Sequence, residues 1–290
     1  MRNIYLGIAI ILLGYSCVVN PDPIDVEIED GPTEMVLNVV NFPPSIVAVS
    51  LSKSFSALLL DEDTIGTESI DLIENLIIDP AEVSIFYDGR AVELTKLIPG
   101  FYGSVDVELI PYMDYEFTAI DLTTDRTMRA ETTVLPQVLI EDILFEENMN
   151  EDSLFLGNKL TYEINDPPDE DNYYLLSQSL LSQSQTEITG IGDLLNSDSD
   201  FQLLRDQELL GQTGQLTYDF TVNYAKGDTI IANLSNITEE YYNYLIAYRR
   251  LGNILTGLLS EPIRTLPSNV EGGLGYFNLA LPDSKQVILE

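Results

Sequence analysis

From Met35 onward the chain alternates apolar and polar residues in short runs, the two-residue period of a half-buried β-strand. MVLNVVN (35–41) and SIVAVSLSKSF (45–55) are the first two runs, on either side of Pro43-Pro44. EVSIFY (82–87) sets Val83, Ile85 and Tyr87 on one face, Asp88-Gly89 follows, and RAVELT (90–95) returns. An Asp-Gly pair between alternating runs predicts a type I′ hairpin, because both turn residues need positive φ and Gly accepts it without strain. Gly100-Phe101-Tyr102, YEFTAIDL (115–122) and RAETTVL (129–135) complete about seven short strands, the regular spacing of an immunoglobulin-like β-sandwich. The acidic stretch 58–80 reads either as a loop or as a short helix.

Past a boundary near Pro136 the strand pattern resumes with VLIEDILFEEN (138–148) and LFLGNKLTYEIND (154–166). YYLLSQSLLSQS (173–184) follows a polar turn, and residues 185–200, rich in Ser, Asp and Gly, read as a loop. QLTYDFTVNY (215–224) and DTIIANLS (228–235) flank Ala225-Lys226-Gly227, which predicts a second hairpin. The periodicity changes at residues 238–257. There Tyr241, Tyr244, Leu245, Tyr248, Leu251, Ile254, Leu255 and, just beyond, Leu258 recur at three- and four-residue steps, the stripe of an amphipathic helix. Thr238 caps it, and Glu239 and Glu240 suit the positive end of its dipole. Such a tyrosine stripe is either a packing face against the second sheet, the commoner case, or a partner-binding face. GLGYFNLALP (273–282) and KQVILE (285–290) read as closing strands. The expected fold is mainly β: a sandwich over 34–136, then a β-rich domain over 137–290, sandwich or barrel-like, with one helix near 238–257.

The residues before the first strand follow different rules. Arg2 precedes an apolar run, Ile4 to Leu13, too short to span a bilayer, and Gly14-Tyr15-Ser16 lead to Cys17. That is the layout of a secretory leader over 1–16. Cys17 is the only cysteine, so it forms no disulfide within the chain. Its position matches the lipobox of a bacterial lipoprotein, whose thiol is acylated, although Gly14 and Tyr15 depart from the usual residues. Residues 17–33 then form a lipidated acidic tether, kept extended by Pro21 and Pro23.

Composition narrows the chemistry. Without the leader, 12 basic residues stand against 48 acidic ones, a net charge of −36. Such a surface repels phosphate backbones and anionic headgroups, which argues against nucleic acid and against electrostatic membrane binding. Attachment then falls to lipid, with palmitate among the expected acyl chains. No His is present. That removes the Ser-His-Asp triad and any His-based zinc site, and leaves catalysis only to carboxylates, Lys, Ser or Tyr.

Several local patterns have both a chemical and a plainer reading. Asn196, Asp198 and Asp200 alternate as in a calcium loop, but Phe201 and Gln207 stand where Gly and Glu are required. Asp166, Asp169, Glu170 and Asp171 are a looser divalent-cation candidate, with a solvated turn as the plainer reading. Gly190-Ile191-Gly192-Asp193 lacks the third glycine of a dinucleotide loop. A glycosidase carboxylate pair is not singled out among the 48 acids. No cofactor is expected. Asp63-Thr64-Ile65, Asp152-Ser153-Leu154 and Asp228-Thr229-Ile230 are similar to the O-glycosylation motif of Bacteroidota envelope proteins, which makes Thr64 and Ser153 candidates, while Thr229 reads as a strand residue.

A set of fragments spread over the mature chain carries a family resemblance. They are Ile24-Asp25-Val26-Glu27, Ala81-Glu82-Val83-Ser84-Ile85 with Asp88-Gly89, Gly100-Phe101-Tyr102, Asn165-Asp166-Pro167-Pro168, Leu234-Ser235-Asn236-Ile237 and Pro267-Ser268-Asn269-Val270-Glu271-Gly272-Gly273-Leu274-Gly275-Tyr276-Phe277. Together they resemble the Bacteroidota outer-membrane lipoproteins grouped as domain of unknown function four-two-four-nine. The resemblance implies two β-rich halves, no assigned catalytic residue, and company with TonB-dependent (SusC-like) β-barrel transporters and other lipoproteins. Gly272, Gly273, Leu274, Gly275 and Tyr276 are read either as a close backbone approach or as a loop that docks on the transporter. The expected protein is non-catalytic, lipid-anchored in the outer membrane and facing the cell surface, as a lid, substrate-capture module or assembly accessory. A stand-alone adhesion or binding lipoprotein and a carboxylate-dependent hydrolase are the alternatives.

Overall fold

A computed structural model describes residues 33–42, 46–54, 76–146, 158–167, 171–181, 200–208, 210–212, 215–222, 224–252 and 266–290. Residues Thr33–Glu290 form one compact unit. Among the described residues the chain is mainly β, built as two sandwiches together with the α-helix Glu239–Gly252, and no closed barrel occurs.

The first sandwich takes its strands in chain order: β1 (Met35–Phe42), β2 (Ile46–Lys53), β3 (Ala81–Tyr87), β4 (Arg90–Glu93), β5 (Thr95–Ile98), β6 (Phe101–Ser104), β7 (Asp114–Asp121) and β8 (Arg126–Thr133). One sheet runs β1-β2-β6-β5 and the other β4-β3-β7-β8. This is the A-B-E-D and C′-C-F-G arrangement of the immunoglobulin fold. Both sheets turn their alternate apolar residues inward, so Leu37, Val49, Ile85, Tyr115 and Phe117 share one core. The predicted hairpin is present, with Asp88 at φ 50° and Gly89 at φ 72° and Tyr87 paired to Arg90.

A tyrosine corner, unnoticed in the sequence, locks the entry to β7. The hydroxyl of Tyr115, wholly buried, donates to the carbonyl of Glu108 at 2.7 Å and accepts from the amide of Ile110 at 2.7 Å. Two loop groups that the sheet cannot pair are thereby satisfied.

The second sandwich repeats the plan with β9 (Leu139–Glu146), β10 (Asn158–Asn165), β11 (Tyr173–Leu181), β12 (Asp200–Arg205), β13 (Leu210–Gln212), β14 (Gln215–Val222), β15 (Thr229–Ile237) and β18 (Pro282–Ile288). Its sheets are β9-β10-β14-β13 and β12-β11-β15-β18, again A-B-E-D and C′-C-F-G. The core between them holds Leu160, Tyr162, Tyr174, Ile230 and Leu234. The predicted hairpin around Gly227 does not form. The strands 215–222 and 229–237 lie in different sheets, because β14 pairs with β10 while β15 pairs with β11. The turn at Gly227 (φ 93°) carries the chain across the sandwich, tied to the tail by Gly227 N–H to Leu289 O at 2.7 Å. A local pattern of two strands around a glycine turn does not distinguish a hairpin from a sheet-to-sheet corner.

Between β15 and β18 the chain makes an excursion. It contains the helix α1 (Glu239–Gly252) and two short strands, β16 (Val270–Glu271) and β17 (Gly273–Gly275). The latter two leave the second sandwich altogether. β16 adds antiparallel to β8, and β17 adds parallel to β1. The strand pattern predicts one domain over 137–290 with a strand over 273–282. Instead residues 270–275 extend the first sandwich, Phe277 and Leu279 enter its core, and a strand resumes only at Pro282.

Candidate functional site

The tail segment 268–281 concentrates the features singled out in the sequence. Ser268 Oγ donates to Gly275 O at 2.8 Å, and the side chain of Asn269 closes a loop by binding both the amide and the carbonyl of Phe277 at 2.8 Å. The Asn269 amide also donates to Glu131 O at 2.7 Å on the β8 edge. Three glycines then pass between the two sheets. A Cβ on Gly272 would sit 2.3 Å from Thr127 O, one on Gly273 would sit 2.3 Å from Met128 Cε and 2.6 Å from Met35 O, and one on Gly275 would sit 2.1 Å from Leu37 O. Gly272 and Gly275 also hold φ of 80° and 113°. Positions 272 and 275 favour glycine on steric and conformational grounds together, position 273 on steric grounds alone. Leu274 lies between them and remains 38% exposed, while Tyr276 is buried.

Tyr276 faces the helix. Its ring lies 5.3 Å from that of Tyr241 and 5.1 Å from that of Tyr244, and Tyr244 stacks on Tyr248 at 6.1 Å. Thr238 Oγ1 accepts from the Tyr241 amide at 3.2 Å, so the predicted cap is in place. The helix packs on the outer surface of the sheet that contains β11 and β12, over Leu203, Leu175 and Phe201. Its most buried ring belongs to Tyr242, which the helical stripe did not include. That ring packs 5.1 Å from Tyr173, and the Arg205 guanidinium lies 4.8 Å over it. Tyr248, counted in the stripe, is 54% exposed. Burial pushes the hydroxyls of Tyr241, Tyr244 and Tyr276 above the ordinary tyrosine value. They stay protonated at neutral pH, so this face offers aromatic contact and hydrogen bonding rather than a phenolate.

The acidic corner after β10 is organised by hydrogen bonds. Tyr174 donates its hydroxyl to Asp166 Oδ1, and the amide of Asn172 donates to Asp206 Oδ2 at 3.1 Å. Asp171 accepts from Gln207 Nε2 at 2.9 Å. Burial, reinforced by the charge of Asp206, holds the Asp166 carboxyl above its usual range against the opposing bonds from Tyr174 and Asn172. Of the cation candidates, Asp166 is thus turned inward onto a tyrosine and Asp171 outward onto a glutamine. Among the described residues no three His, Cys, Asp or Glu side chains gather closely enough to hold a metal ion.

Asp169, Cys17, Thr64 and Ser153 lie outside the described residues, as do Asn196, Asp198 and Gly190–Asp193. Among the described residues no helix is long and apolar enough to cross a membrane. No curated protein matches the chain. Over residues 21–286 the chain matches, and therefore belongs to, the family described as domain of unknown function 4249.

Proposed function

We propose that this protein is a non-catalytic, lipid-anchored component of an outer membrane that docks on a TonB-dependent, SusC-like β-barrel transporter. The observation that carries the reading is the solitary Cys17, placed directly after a short apolar run and followed by a Pro-containing acidic tether. Fatty chains on that thiol supply the membrane affinity that a net charge of −36 without the leader denies to the surface. Two immunoglobulin-type sandwiches are rigid supports for loops, and their loop ends suit recognition of a partner better than chemistry. The half-exposed Tyr248 and Leu274 give candidate apolar contacts for such a partner. The lid, substrate-capture and assembly roles all follow from the same attachment.

Two measurements test this. Cys17→Ser should abolish palmitate labelling and release the protein from the particulate fraction. A C-terminal tag on the native chain should retrieve a stoichiometric barrel from detergent-solubilised membranes. Labelled protein that retrieves no barrel would favour the stand-alone adhesion or binding lipoprotein. Native protein that takes up no label would remove the anchor on which the proposal stands.

A further inference from the structure

The tail excursion has the geometry of a clasp. In a two-sheet sandwich the outer edges of strands A and G expose backbone groups unless something covers them. Here β16 covers β8 and β17 covers β1, through the register Val270↔Ala130 and Met35↔Gly273, Val36↔Leu274, Leu37↔Gly275. The covering strands come from the excursion of the other sandwich, between its strands F and G. Successive residues then serve different bodies. Tyr276 packs on α1, the ring of Phe277 lies tilted 5.2 Å from Phe117 in the first core, and Leu279 follows it there. Ala280 joins the cluster beneath the helix, and two residues later the chain enters β18. The clasp also meets the start of the folded chain. β1 is held by β2 on one side and β17 on the other, and Arg126 of β8 donates to the carbonyl of Thr33.

We infer that residues 268–281 are a strand donated in cis, which completes the first sandwich and fixes the seat of α1, so that the two sandwiches and the helix open only together. The inference goes beyond the proposed attachment and holds whatever partner the protein meets. Its physical basis is that one continuous segment supplies edge pairing to both sheets of one sandwich, core side chains to that sandwich, and a ring to the helix on the other. Loss of any one of these contacts strains the rest, because only Gly272 separates the two edge pairings and Tyr276 adjoins Phe277.

Native-state hydrogen exchange on the full chain tests the coupling directly. The hydrogen-bonded amides among 270–271 and 273–275, and those of α1 beyond its first turn, should exchange within about tenfold of the slowest amides in β1 and β15, since all wait for the same opening. Clasp amides that exchange faster than both cores by more than about a hundredfold would show that the clasp opens alone, and would overturn the inference. Gly275→Val gives a second reading, because its Cβ would press on Leu37 O. Its calorimetric transition should split in two, and α1 amides should lose protection by more than about tenfold although the substitution faces β1. Gly89→Val is the control. It meets a positive φ of 72° in the same sandwich but has open space around it, so it should lower a single transition without splitting it. A Gly275→Val chain with one transition and unchanged helix protection would refute the coupling. If that chain does not fold, the exchange pattern of the native protein decides.

Discussion

Two buried carboxylates show how environment sets the sign of a residue's contribution. Asp121 is buried at the end of β7; burial opposes its charge, but bonds from the Thr124 hydroxyl and from the Thr123 and Thr124 amides outweigh that and hold its carboxyl below the ordinary range. Its contribution is therefore present above the unfolded value and lost as pH falls through the folded one. Asp166 is the reverse. Burial first, and the charge of Asp206 next, raise its carboxyl above the ordinary carboxylate range. The folded state binds that proton more tightly, so this contribution is full below the unfolded value and disappears as pH rises through the folded value. Asp166→Asn keeps an acceptor for Tyr174 and abolishes the titration. The stability of the variant relative to the native chain should therefore increase between about pH 4 and neutrality, as read from urea melts at a series of pH values. A cation seated at this corner would require the charged form and reverse the trend, so a variant that loses ground as pH rises would reinstate the corner as a metal site.

At the scale of elements, the helix illustrates what its own periodicity can and cannot specify. Tyr241, Tyr242, Tyr244, Leu245 and Ile246 make the apolar arc wide, and several rotations about the helix axis would bury a comparable area. The sheet decides among them. Outward-facing Tyr173 and Leu175 on β11, with Arg205 at the end of β12, form the slot that takes the ring of Tyr242. Tyr242→Ala should accordingly cost about 3–5 kcal/mol, as the loss of a buried aromatic does. Tyr248→Ala should stay within about 0.5 kcal/mol, although it belongs to the helical stripe read from the sequence. Chemical denaturation of the two variants side by side separates these expectations. Equal costs would mean that the helix sits on the other face.

For the whole molecule the dominant feature is charge. Asp and Glu number 48 against 13 Lys and Arg, and three ion pairs are seen among the described residues, each with at least one half-exposed partner. Such pairs contribute little, while summed self-repulsion favours expansion. Raising ionic strength from 0.01 M to 0.15 M shortens the screening length from about 30 Å to about 8 Å, so Tm should rise by about 2–4 °C in a thermal melt. A falling Tm would mean that local ion pairs outweigh the global repulsion.

The sequence by itself determined most of the strand runs, the type I′ hairpin at Asp88-Gly89 and the capped helix start at Thr238, whereas the need for glycine at 272, 273 and 275 comes from the distant backbone of Thr127, Met35 and Leu37. The first three are local matters of period, φ or capping. Tertiary structure alone decided that the strands around Gly227 enter different sheets, that residues 270–275 cross back to the first sandwich, and that Tyr242 rather than Tyr248 is buried. A two-residue alternation states that a strand has an inner face, but not which edge it pairs with. Met35 and Gly273 meet because two cores had to close, and no pattern confined to either stretch encodes that neighbour.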